Sequence, residues 1–195
     1  MTMKRIAIIA TMLLATIGLA SAQTTVPGQP IVPLGDCQLS ASQLGSAIAI
    51  SSCVRASFTA SAGSPNASQL VVTSVTGVIL IGDKVIAGTG TTAGTTVVSQ
   101  VSGTTGGAGT YLLSAVNTTS SASVTTGGIP PGATMAFLQA ETADVRYRDD
   151  GGVPTTAIGN IVVHGIPGIF YAGTLSQLQF IALSGSPLLD IGFYR

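Results

Sequence analysis

The sequence predicts an all-β protein, a small antiparallel β-sandwich with a second nested β module behind an N-terminal signal-peptide helix. Three observations carry that expectation. Short runs rich in Val, Ile, Thr and Tyr recur between glycine- and proline-rich turns, which is the pattern of half-buried strands. Only 7% of the residues are charged while 46% are hydrophobic, a balance opposite to that of disordered chains. The composition also breaks abruptly near residues 55 and 127, where a tract of Thr, Ser, Gly, Ala and Val begins and ends.

The elements follow in order. Lys4 and Arg5 precede an apolar run from Ile6 to Leu19, and Ala20-Ser21-Ala22 supplies a small-residue cleavage site. Charged, apolar and small-residue regions in that order form a signal peptide, residues 1–22, with export as the implied destination. The apolar run falls short of the roughly 20 residues that a spanning helix needs, so no membrane association is expected after cleavage. Residues 23–33 read as a linker because three prolines punctuate them. Leu39, Leu44, Ala47 and Ile48 approximate a helical period and suggest a short helix within 39–50.

From Ala56 the chain reads as β. Strands are expected at 69–75, 83–86, 95–101 and 110–114, divided by turns such as Gly103 to Gly109. Gly128-Ile129-Pro130-Pro131-Gly132 then returns the chain to ordinary composition. Further strands are expected at 135–140, 144–148, 161–163, 168–171, 178–183 and 188–194. The implied organisation is a sandwich built from 34–54 plus 128–195, interrupted by an inserted module at 55–127. Long surface insertions cost little loop-closure entropy, so such nesting is physically cheap.

Charge and cysteine content narrow the function classes. Without Lys4 and Arg5 the mature chain keeps five basic residues against seven acidic ones, a net charge of −2. That balance gives no basic patch, and nucleic acid is not an expected partner. Cys37 and Cys53 are the only cysteines and His164 the only histidine, too few for the usual four-ligand zinc site. In an oxidising compartment the two cysteines suit a disulfide, whose closure of a loop of about 15 residues contributes on the order of 3 kcal/mol. Two buried thiols are the alternative. No metal or cofactor is expected.

Half of the mature charges gather between Glu141 and Asp150, in a window ending VRYRDDGG. A carboxylate pair assisted by His164 would suit acid–base hydrolysis, and the aspartates could hold a cation. Alternation supports a structural reading instead. In an extended strand Val145 and Tyr147 face the core while Asp144, Arg146 and Arg148 share the other face. Asp149-Asp150-Gly151-Gly152 would then turn a charged hairpin suited to a subunit contact. His164 reads as a hydrogen-bonded strand-end residue, since no triad partner is identifiable. The glycine-rich stretch 103–109 lacks the Lys-Ser/Thr ending of a phosphate loop. Asn66-Ala67-Ser68 and Asn117-Thr118-Thr119 are sequons that matter only in a glycosylating pathway.

The stretches GIPPGATMAFLQAETADVRYRDDGGVPTTAIG and GTLSQLQFIALSGSPLLDIGFYR resemble small β-rich structural proteins of tailed bacteriophages, of the head-decoration or fibre type. The tract from Gly77 to Val124 resembles a glycine- and threonine-rich module of phage tail and capsid-surface proteins. Together these resemblances cover most of the mature chain. They imply a non-enzymatic structural or surface-display protein whose partners are copies of itself or other virion proteins. The signal peptide departs from that pattern, because virion components are normally assembled in the cytoplasm. It points towards a prophage-derived gene recruited for export, and the alternative reading is an exported carbohydrate-binding or adhesion module that meets cell-surface glycan. Nine aromatic residues and no tryptophan leave that alternative few sugar-stacking surfaces.

Overall fold

The computed structural model describes residues 30–63 and 66–195. The expected signal peptide and residues 23–29 of the expected linker lie outside the described residues. The described chain is all-β, with one large antiparallel sheet and a second, smaller one.

The strands are β1 (Pro33–Leu39), β2 (Ile48–Ala49), β3 (Val54–Ala62), β4 (Gln69–Gly77), β5 (Lys84–Gly88), β6 (Val97–Gly103) and β7 (Gly109–Leu113). They continue with β8 (Ala122–Gly127), β9 (Met135–Glu141), β10 (Val145–Arg148), β11 (Asn160–Val162), β12 (Ile169–Tyr171), β13 (Gln179–Ala182) and β14 (Leu188–Tyr194). Two expectations need correction. The helix expected within 39–50 is a single turn, Ala41–Leu44, because Ile48 and Ala49 leave it to pair with Phe180 and Gln179 of β13. The linker expected to reach Pro33 ends earlier. Val32 exchanges both backbone hydrogen bonds with Arg195, and Pro33 opens β1, a strand-first position that tolerates its missing N–H.

The sandwich consists of β12-β9-β14-β1 facing the four-stranded sheet β11-β10-β13-β2. Period-two alternation fills the space between them. Leu138 of β9, Leu189, Ile191 and Phe193 of β14, Leu39 of β1 and Phe180 of β13 are fully buried in one cluster. Leu44, Ile50, Leu175 and Leu178, from the short helical turns, close its end. The Cys37–Cys53 disulfide joins β1 to the residue preceding β3, with Cα atoms 5.9 Å apart.

The strands between form a barrel. Each pairs with the next in the ring β5-β8-β3-β4-β7-β6. A Lys84–Thr96 bridge closes it, with Val97 N–H donating to Asp83 O and Gly82 N–H to Val97 O, both at 2.8 Å. Closure removes the exposed edges that an open sheet of this length would present. A second hydrophobic cluster fills the interior, including Phe58, Leu70, Val72, Val85, Tyr111 and Val124. No residue of this cluster belongs to the sandwich cluster, so two cores divide at residues 53 and 56 on the way in and at 124 and 136 on the way back.

Arg55 occupies the crossing. Its guanidinium pairs with the Asp83 carboxylate, with both side chains almost wholly buried. It also donates to the Gly128 carbonyl at 3.0 Å and lies over the Phe193 ring, 5.9 Å from its centre. Asp83 accepts a second hydrogen bond from the Leu80 amide at 3.0 Å. Burial pushes the Asp83 carboxyl up from its ordinary range, against the lowering effects of the Leu80 amide and Arg55. The strands crowd closely here. A Cβ on Gly77 would come within 2.2 Å of the Arg55 carbonyl, and one on Gly127 within 2.2 Å of the Cys53 carbonyl. Glycine at both positions lets the two cores share a backbone without a layer of side chains between them.

Two outcomes follow from this arrangement. Removing Arg55 alone leaves a buried carboxylate unpaired, so Arg55→Ala is expected to lose about 3–5 kcal/mol in urea unfolding, whereas Arg55→Met with Asp83→Leu regains most of it. Val54 and Gly127 are register partners, a strand spacing apart. Joining Val54 to Gly128 without residues 55–127 therefore removes both charges together, and a single cooperative thermal transition by circular dichroism is expected. A shortened chain with no cooperative transition would show that the sandwich needs the barrel.

Candidate functional site

The charged window lies on the outer face of the smaller sheet. β10 sits between β11 and β13, so its side chains alternate between core and surface. Val145 is fully buried, and Tyr147 packs against the core with its ring 6.4 Å from that of Phe180 and 6.5 Å from that of Tyr171. Burial, reinforced by the nearby Asp149 charge, raises the Tyr147 hydroxyl above its ordinary range. Arg146 and Arg148 point the other way. Arg146 lies in register between Ile161 of β11 and Ile181 of β13, and Arg148 is opposite Gln179.

The ionisable groups of the window have separate local tasks. Arg148 Nε donates to Asp150 Oδ1 at 2.9 Å, and its Nη2 pairs with Oδ2, a two-point clasp across a bend. Asp150 Oδ1 also accepts from the Gly152 amide at 3.0 Å. These contacts hold the Asp150 carboxyl at about 2, the Arg148 hydrogen bond first and the Gly152 amide next. Asp144 turns to His164, accepting from its backbone amide at 2.9 Å and meeting its Nδ1 at 2.6 Å. The backbone bond and then the ring bond lower the Asp144 carboxyl. Arg146 Nη1 donates to the Gly159 carbonyl at 2.6 Å.

The window does not close as the tight hairpin that its Asp-Asp-Gly-Gly sequence suggests. Asp149 and Asp150 begin a longer excursion, and the chain rejoins β10 only at Asn160, opposite Tyr147. Gly159 makes the return possible, since a Cβ there would lie 2.5 Å from the Tyr147 carbonyl. The charges also do not interleave along the strand. Asp144 is taken by His164, so no carboxylate of the described residues pairs with Arg146. Asp149 and Glu141 are exposed, and no hydrogen bond joins either side chain to His164. The combination of carboxylates with His164 that hydrolysis would need is therefore reduced to the single Asp144–His164 contact.

The opposite outer face of the sandwich carries a different chemistry. Phe170, 59% exposed, has its ring 5.0 Å from Phe137 and 5.8 Å from Tyr194, with planes tilted by 55° and 59°. The same face carries Asp36 of β1 and Asp190 of β14, the latter accepting from the Gln38 side-chain amide at 2.7 Å. A groove of about 810 Å³ runs from this face along Gly35, Asp36, Arg55, Val78 and Leu80. On the barrel, Val78, Ile81, Val98 and Val101 are exposed around a shallower groove of about 660 Å³. Among the described residues no group of three His, Cys, Asp or Glu side chains could hold a metal ion.

Both sequons also find their places. Asn117 is buried and its amide donates to the Ala67 and Gln69 carbonyls, whereas Asn66 is exposed and its Oδ1 accepts from the Ser68 amide in a turn. Compared with protein-family models, curated proteins and solved structures, the chain has no match in any of the three.

The Arg148–Asp150 clasp has a measurable signature. A carboxyl lowered on folding contributes stability that is complete above its unfolded value near 3.8 and is lost as pH falls towards about 2. Carboxyl-detected NMR is expected to place the Asp150 midpoint near 2 in the wild type and nearer 3.8 in Arg148→Ala, with Tyr147 still packed.

Proposed function

We propose that this chain is a non-enzymatic structural or surface-display protein that works by packing its outer sheet faces against other protein surfaces. One observation carries the reading. Asp144, Arg146, Arg148 and Asp150 of the charged window are engaged in fastening strand ends and bends, while large apolar side chains remain exposed on both sandwich faces and on the barrel. Exposed apolar residues grouped on sheet faces fit contact surfaces better than they fit a solvated monomer. The likeness of residues 128–195 to phage virion proteins supports the same reading, and the expected export would make the chain a recruited relative of such proteins. Its partners are copies of itself or other particle proteins.

A carbohydrate-binding or adhesion role is the second reading, and the Phe137–Phe170–Tyr194 cluster favours it. The rings are tilted against one another, so they offer a single stacking ring, Phe170, in place of a flat platform.

Concentration-dependent sedimentation of the wild type, with no turnover of polysaccharide, is the expected outcome. Hydrolysis that disappears in Glu141→Gln or Asp149→Asn would overturn the non-enzymatic reading. Retention on an insoluble glycan that is lost in Phe170→Ala would select the adhesion role.

A further inference from the structure

The two outer faces of the sandwich are complementary to each other. On the larger sheet, the row Asp36–Gly192–Phe137–Phe170 runs across the strands with the Tyr194 ring over Gly192, and Asp190 lies diagonal to Phe137. Among the described residues neither carboxylate has a cationic partner. On the smaller sheet, Arg146 stands between Ile161, 40% exposed, and Ile181. Its Nη1 is spent on a carbonyl, and its Nε is buried without a partner among the described residues. The neighbouring charges on that face are already used, Arg148 by Asp150 and Asp144 by His164. One face thus presents carboxylates flanked by aromatic rings, and the other a guanidinium flanked by isoleucines.

We propose that these faces bind each other in successive copies of the chain, the Arg146 face of one copy seated on the Asp36–Asp190 face of the next. Two Asp36–Asp190 faces would oppose like charges, so an isologous dimer through that face is disfavoured. The faces lie on opposite sides of one sandwich, and a heterologous contact between them builds a ring or an open filament. The smaller sheet limits the contact, because its strands of three, four, four and two residues present only about 200 Å² of sheet, well below the area of a standard protein contact. The association is accordingly weak, concentration-dependent and loosened in about 1 M salt, where charges are screened beyond ~3 Å.

The inference rests on the structural reading above, and a mixing experiment separates the two. Arg146→Glu blocks one face and Asp190→Lys the other, and each variant alone is expected to associate about tenfold more weakly than the wild type in sedimentation velocity. Mixed, they are expected to restore association, because each retains the face that the other lacks. Ile161→Asp and Phe170→Lys repeat the pair at exposed side chains that make no side-chain hydrogen bonds, should Arg146→Glu disturb the Gly159 contact. Variants that associate like the wild type would overturn this contact and leave the structural role standing through other surfaces. A mixture no more associated than its components, or a wild type that stays monomeric, would also overturn it. Glutamate-dependent hydrolysis of a glycan would instead overturn the structural reading, whatever the mixing shows.

Discussion

A buried ion pair sits where the chain passes from one core to the other. Arg55 leaves the sandwich with its backbone and touches it again through Phe193, while its charge is answered inside the barrel by Asp83. Taking two charges out of water costs several kcal/mol per ion, and only good geometry with further hydrogen bonds offsets that cost. Here the further bonds come from Leu80 on the Asp83 side and Gly128 on the Arg55 side. Arg55, Asp83 and Leu80 all belong to the barrel segment, while the Gly128 carbonyl and the Phe193 ring tie the same guanidinium to the sandwich side.

Everything at the crossing is adapted to close approach. The disulfide holds β1 to the start of β3, so the chain enters the barrel from a fixed point. Gly77 and Gly127 then bring strands against the Cys53 and Arg55 carbonyls at distances that no side chain permits. Because entry and exit strands pair with each other, the sandwich meets the barrel much as it would meet a hairpin loop, and the cost of the insertion grows only slowly with its length. The two hydrophobic clusters keep their own side chains, and the barrel meets the outer face of the larger sheet only along the groove where Val78 and Leu80 approach Gly35 and Asp36.

Strands with alternating large residues were legible in the sequence. Met135 to Ala140, Leu178 to Leu183 and Leu188 to Tyr194 all appear close to their expected bounds. β3 and β8 were harder to read, because apart from Phe58 and Val124 their inward positions are filled by Ala56, Ala60 and Thr126, which hardly depart from the surrounding Ser and Thr. The helical period of 39–50 was overridden when Ile48 and Ala49 found a strand partner more than a hundred residues away. Alternation correctly placed Arg146 and Arg148 on one outer face. It carried no information about Asp144, whose partner His164 lies on the next strand's exit, or about a buried Asp83. The only hint for Asp83 was an Asp-Lys pair standing alone within an apolar stretch, LIGDKVI.

The pairing of β1 with β14 also has a mechanical side. Val32 and Arg195 are bonded to each other, so tension applied to the chain at these two residues opens the ladder one rung at a time, the weakest way to load antiparallel strands. The disulfide sets a limit on that peeling. Once the opening reaches Cys37 the load passes through sulfur to Cys53, at the root of the strand that both cores share. Beyond that point part of the load enters β3, which is hydrogen-bonded on both sides, to β4 and to β8. The molecule therefore gives slightly at first and then resists, as a short tether with a stop would.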